Sequence, residues 1–187
     1  MVPSFRVMMD CLAGSELKKE SAYEILRQVN APDHLVTHVT LVGEAADALI
    51  KGLQSLNVPV DADFIRAGVV LHDIGKVIHL DELVAAGSEH EPAGQKMLLQ
   101  RGVDASLARV CVSHAQWSSM ECSLEELVIA LADKLWKGKR VEDLELQVVD
   151  SCAAQISADR WQLFAELDAV FESIAALGDE RLMRSVE

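Results

Sequence analysis

The sequence is poor in positive charge: 17 Lys+Arg stand against 30 Asp+Glu in 187 residues, a formal net charge of −13. That deficit argues against general binding to a nucleic-acid backbone or an anionic membrane. It leaves room for one locally basic site that takes a small phosphorylated ligand. Long apolar runs are missing too. No stretch of about 18 apolar residues occurs, so no membrane span is expected. The apolar segment Met1–Gly14 is short, is broken by Asp10 and does not read as a secretory signal. Cys11, Cys111, Cys122 and Cys152 are scattered and form no C-x-x-C pair. This argues against a disulfide framework and a thiolate zinc site, and implies reduced, mostly buried thiols in a cytoplasmic protein. Convincing alternating strands, internal repeats, low-complexity segments and interdomain linkers are also lacking.

What is present is helical periodicity in a chain that is half hydrophobic, enough to fill a core. A helix over residues 15–30 is expected, capped by Ser15, and a second from Pro32, where proline suits a first turn. In the second, Leu35, Val39, Val42, Ala46, Leu49 and Leu53 recur at steps of three or four and define one face. Asn57-Val58-Pro59 ends it. Asp61 then caps a helix to about His72, stopped by Gly75. Within it Ala67–Leu71 could compete as a β-branched strand, but no partner strand is available. Ser88 and Glu91 have the spacing of a capping box for a helix that stops at Gly102, and Ser123 with Glu126 repeats it for one ending near Gly138. Asp104 caps a helix to about His114. Two more helices fill 141–157 and 159–177, and the tail from Gly178 is polar and expected to be loose. The expectation is all-α: a single helical-bundle domain over 1–187, with a core at about 33–140 and a C-terminal helical extension.

The histidines carry the chemistry. His72-Asp73 follows directly on Val69-Val70-Leu71, so an imidazole and a carboxylate emerge from the end of a buried helix. Asp133 lies in the apolar run Leu127–Ala132. A buried aspartate is costly unless it is paired, hydrogen-bonded or metal-bound. Imidazole with carboxylate suits Zn, Mn or Fe. Adjacent helical residues project about 100° apart, so His72 and Asp73 could share an ion only at a distorted or terminal turn, which Gly75 could supply. His38 arrives from an earlier helix and Asp133 from a later one. His34 and His79 read better as core or surface histidines.

His38, then Leu71-His72-Asp73-Ile74-Gly75-Lys76, then Ala132-Asp133-Lys134-Leu135, resembles the HD-domain superfamily of metal-dependent phosphohydrolases in its HDIG form, over roughly 33–140. The resemblance implies an all-α fold and a first metal held by His38, His72, Asp73 and Asp133. It also implies that His90 and His114, which stand between the HD pair and the last aspartate, hold a second metal, with Asp73 bridging. Two divalent ions are therefore expected, with Fe, Mn, Zn, Mg and Ni not separable from sequence. Such ions would activate a water as a metal-bound hydroxide and neutralise charge during in-line attack on phosphorus.

Lys76 falls three residues after Asp73 and could contact a phosphate oxygen or the leaving group, or simply be solvated at a helix end. Four of the 17 basic residues lie within Lys134–Arg140. They read either as a phosphate-recruiting rim, with Lys134 and Arg140 the better placed, or as cationic charge suited to a helix C-terminus. Glu89 and Glu91 flank His90 as possible orienting acceptors, and Trp117 and Trp136 could stack a base or pack. There is no G-Y-P after the HDIG portion, no E-D pair after HD, and Lys76 stands where deoxynucleotide monophosphatases place a glutamate. The expected function is hydrolysis of a phosphate ester or anhydride, of a nucleotide or other small phosphorylated metabolite, with Asp73 and Lys76 at the reacting centre. A homodimer contact through the C-terminal helices is compatible. The rival readings are a di-iron HD-type oxygenase and a non-catalytic metal-binding domain.

Overall fold

In a computed structural model, residues 17–83 and 85–186 are described, and all their regular structure is helical. Helix α1 spans Lys19–Gln28 and α2 spans Asp33–Ser55. The expected cap Ser15, like Cys11, lies outside the described residues. Pro32 is the residue before α2 rather than its first turn, with extended backbone. All six apolar positions of the expected stripe in α2 are buried, joined by Leu41, Ala45 and Ile50, so the helix is covered on a wide arc. Burying each such leucine, valine or isoleucine contributes about 1.5–3 kcal/mol. Asn57, in the left-handed region at φ 58°, turns the chain out of α2.

Helix α3 (Ala62–Leu71) is capped by Asp61, whose carboxylate accepts from the Phe64 backbone N–H at 2.8 Å. Its segment Ala67–Leu71 is wholly buried as helix. Gly68 permits this packing, since a Cβ there would strike Ile129. After α3 come two 3-10 turns, Ile74–Val77 and Leu80–Leu83, and then α4 (His90–Gln100). The Asp104 cap forms, but the helix expected from it is two pieces, α5 (Ala105–Ala108) and α6 (Val110–Gln116). The break falls at Arg109, whose guanidinium spans to the Glu126 carboxylate and the Glu121 carbonyl.

Helix α7 (Leu124–Leu135) opens with the expected Ser123–Glu126 capping box. Its run Leu127–Ala132 is buried throughout, and it packs against α2, α3, α6 and α8. Helices α8 (Glu142–Ile156) and α9 (Arg160–Ala175) close the core with Leu144, Val148, Leu163, Leu167 and Phe171.

The tail from Gly178, expected to be loose, forms α10 (Gly178–Ser185). It is held by charge rather than by apolar area. Arg181 is buried and donates to the Ile174 carbonyl at 2.9 Å, while Arg184 pairs with Glu44 on α2. No helix among the described residues is long and apolar enough to cross a membrane.

Candidate metal centre

Helix α3 stops at Leu71. His72 keeps helical backbone as its cap, and Asp73 leaves the helix at φ −106°, ψ 11°. This is the terminal irregularity that lets neighbouring residues face one point. Gly75 has a second reason to be glycine, because a Cβ there would collide with the His90 carbonyl and lie 2.7 Å from the Gly94 nitrogen. Two main chains meet at these glycines, and that contact brings α4 and His90 against the turn.

His38 comes from α2, His72 and Asp73 from the end of α3, His90 opens α4, His114 lies on α6 and Asp133 on α7. The structure gathers all six. His38 Nε2 is 3.4 Å from His72 Nε2, 3.3 Å from Asp73 Oδ2 and 3.6 Å from Asp133 Oδ1. His72 Nε2 is 3.6 Å from Asp73 Oδ2 and 3.7 Å from Asp133 Oδ1. The other oxygen of Asp73, Oδ1, lies 3.1 Å from His90 Nε2 and 3.6 Å from His114 Nε2. Two overlapping groups, His38/His72/Asp133 and His72/Asp73/His114, each bring their donor atoms within 4.8 Å of one another. His90 joins them through Asp73.

The remote ring nitrogens decide what the near ones offer. His72 Nδ1 donates to the Val69 carbonyl at 2.7 Å and His114 Nδ1 to the Val110 carbonyl at 3.0 Å, because a carbonyl can only accept. His90 Nδ1 sits 2.5 Å from the Glu82 carboxylate. Each imidazole so held keeps a proton on its remote nitrogen and turns Nε2 inward, toward the carboxylates. His90 Nε2 is buried without a hydrogen-bond partner. A buried convergence of lone pairs fits a cation, and the imidazole–carboxylate donor set suits a divalent metal ion.

The electrostatics agree. Burial alone would raise the Asp73 and Asp133 carboxyls, but the neighbouring histidines, and Lys134 at Asp133, outweigh it and hold both below the usual carboxylate range. Burial opposes a charged His72, yet the two aspartates raise its pKa. Burial and the neighbouring His72 push His114 down to about 4, so its imidazole is neutral at physiological pH.

The basic residues divide. Lys76 donates to Asp73 Oδ2 at 2.6 Å and Lys134 to Asp133 Oδ2 at 2.7 Å. Both touch the cluster. Arg140 does not: its guanidinium is committed to Glu145, Asp168 and Glu172 on α8 and α9, which corrects its assignment to a substrate rim. Trp136 is buried edge-on against the His38 ring at 5.2 Å between centroids, so it braces His38 and offers no open face to a base. His34 is exposed, and His79 is partly exposed outside the cluster.

The Ser88–Glu91 capping box does not form. Glu91 instead accepts from Gln116 Nε2 at 2.8 Å. The acceptor that orients His90 is Glu82, eight residues upstream, which sequence reasoning missed. The irregular loop between them carries no periodic pattern that would have announced the pairing.

Comparison with known proteins places the family. The HD domain family profile matches residues 33–136. A tRNA (cytidine(56)-2′-O)-methyltransferase of Thermoplasma volcanium is 26% identical over 171 residues, covering 83% of this chain and 47% of that protein. This chain thus spans about half the length of that relative. An uncharacterized protein of Methanocaldococcus jannaschii is 30% identical over 139 residues, covering 66% of this chain and 78% of the relative. No solved structure matches the chain. With more than half of its residues under the family profile and the histidine–aspartate cluster assembled inside that span, the chain belongs to the HD domain family.

Proposed function

We propose that this protein is a metal-dependent phosphohydrolase that cleaves a phosphate ester or anhydride of a nucleotide or similar small phosphorylated metabolite. The observation that carries the proposal is the Asp73 carboxylate, with one oxygen toward His38 and His72 and the other toward His90 and His114. A carboxylate so divided is suited to bridging two ions. His38, His72, Asp73 and Asp133 would hold one ion, and Asp73, His90 and His114 the other.

Divalent metal in this place supplies Lewis acidity toward a phosphoryl oxygen and the activation of water. The chain's own residues do the rest. Asp73 and Asp133 stay ionised, the remote nitrogens of His72, His90 and His114 hold their protons on neighbouring oxygens so that Nε2 faces the cluster, and the Lys76 and Lys134 ammonium groups flank the cluster where phosphate oxygens would lie. A relative named for action on a tRNA cytidine supports a nucleotide-type substrate. The net charge of −13 favours a small anion over an extended one.

The test is hydrolysis of a panel of nucleotides and phosphoesters by the Mn²⁺- or Fe²⁺-loaded protein, with Asp73→Ala as control. Hydrolysis is expected in the wild type and loss of at least about a thousandfold in the variant. Undiminished turnover by Asp73→Ala would sink the mechanism. The same six-residue set supports a second reading, a di-iron oxygenase. Substrate-dependent oxygen uptake with a mixed-valence di-iron EPR signal would favour it over hydrolysis.

A further inference from the structure

Glu82 is a buried carboxylate whose side-chain hydrogen bonds all go to the start of α4. Its Oε1 accepts from the Glu89 backbone N–H at 3.1 Å. Its Oε2 accepts from the His90 backbone N–H at 3.2 Å and from His90 Nδ1 at 2.5 Å. A second residue holds it in place. Gly87 passes directly over the Glu82 side chain, and a Cβ at Gly87 would collide with the Glu82 carboxyl group and lie 2.6 Å from its Cγ.

On the opposite side of the His90 ring, Nε2 is buried, unpartnered and 3.1 Å from Asp73 Oδ1. The ring is thus gripped at its remote edge by Glu82. An ionised carboxylate has only lone pairs to offer, so the Nδ1 that faces Glu82 carries a proton.

We infer that Glu82 is the positioning residue of the half-site formed by Asp73 Oδ1, His90 and His114, fixing the tautomer and ring orientation of His90, and that Gly87 exists to leave room for it. The metal-binding part of this inference rests on the function proposed above; the hold on His90 does not. The neighbouring rings owe nothing to Glu82. His72 takes its orientation from the Val69 carbonyl and His114 from the Val110 carbonyl, both within their own helical stretches. Outer acceptors of this kind govern metal affinity by about 10–100-fold.

Two measurements test it. In metal-free, ¹⁵N-labelled protein, the imidazole ¹⁵N spectrum is expected to show His90 Nδ1 protonated. In Glu82→Ala the His90 signals move toward the Nε2–H form while those of His72 and His114 stay. In calorimetric titration with Mn²⁺ the wild type takes two equivalents. Glu82→Ala weakens one of them by about 10–100-fold and leaves the other unchanged.

Gly87→Ala, which leaves the carboxylate in the chain but evicts it, shifts both readouts in the same direction. It decides the matter if Glu82→Ala does not fold. Glu82→Gln, which can still accept at one oxygen, gives a smaller shift. A helix-capping role alone would alter thermal stability without moving the tautomer. Unchanged His90 signals together with two unchanged Mn²⁺ equivalents overturn the inference. A shift of the His90 signals in Glu82→Ala as described, with no Mn²⁺ taken up by the wild type, overturns the metal reading and upholds the hold of Glu82 on His90.

Discussion

Lys76 Nζ lies 2.6 Å from Asp73 Oδ2, the same oxygen that faces His38 at 3.3 Å. The ammonium therefore occupies part of the space in which a cation would meet this carboxylate. A metal ion held at this oxygen would displace Lys76, whose charge would then be available to a phosphate next to the site. Lys76→Met is expected to tighten Mn²⁺ binding by a few fold, because a repelling charge is removed. It should also lower kcat/KM by about 10–100-fold, mainly through KM, because a charged hydrogen bond to substrate is lost. A calorimetric titration beside steady-state kinetics checks both. Weaker metal binding in the variant would refute the competition.

Gly75 and Gly43 make a matched pair. Alanine at Gly75 would drive a methyl group into the His90 carbonyl. It is expected to cost about 3 kcal/mol in denaturant unfolding and to disturb the metal site as well. Gly43 lies inside α2, and a methyl group there would meet nothing within 4 Å. Gly43→Ala should therefore stabilise the protein by up to about 1 kcal/mol through helix propensity.

Arg140 ties the end of the HD region to the C-terminal helices through Glu145, Asp168 and Glu172. Arg140→Ala leaves the buried Glu145 carboxylate without its main partner. A loss of about 1–3 kcal/mol in stability is expected, with KM for the substrate unchanged in protein that remains folded. A large rise in KM at unaltered stability would return Arg140 to the substrate rim.

The attachment of α10 should depend on pH. The hydrogen bond from Arg184, foremost, and the charges of Arg184 and Arg181 hold the Glu44 carboxyl below its ordinary value near 4.5 against the opposing effect of burial. A carboxylate whose folded pKa is depressed contributes stability that is full above its unfolded pKa and is lost as pH falls through the folded one. Amide exchange in α10, corrected for intrinsic rates, should therefore lose protection as pH drops below about 4.5. Glu44→Gln should weaken that protection at neutral pH and flatten its dependence.

Much of this was legible in the sequence because it is local. The stripe of α2, the Asp61 and Asp104 caps and the Ser123–Glu126 box each depend on residues a few positions apart, and each formed. The order of His38, His72-Asp73, His90, His114 and Asp133 was legible from resemblance, and the fold brings the six together. What local pattern could not show are the contacts across distance. Glu82 reaches His90 over an irregular loop. Arg140 turns from the cluster to carboxylates 28 and 32 residues away on α9. The segment from Gly178 looks loose by composition because α10 is fastened by two arginines to Glu44, 140 residues before Arg184. In the same way, the Ser88–Glu91 spacing is right for a capping box, but Gln116 claims Glu91 and Glu82 already satisfies the free N–H groups at the start of α4.

The contact of main chains at Gly75 and Gly94 has a consequence for how the protein softens on warming. His38, His72 and Asp133 are carried by α2, α3 and α7, whose inner faces form the middle of the core. His90 opens α4, which meets a four-residue turn at Gly75 and Gly94, while Met97 and Leu98 anchor its far end in the core beside α5 and α6. Opening free energies follow burial and local packing, so the first turn of α4 is expected to lose amide-exchange protection on warming before α2, α3 and α7 do, carrying His90 away from the other residues of the cluster.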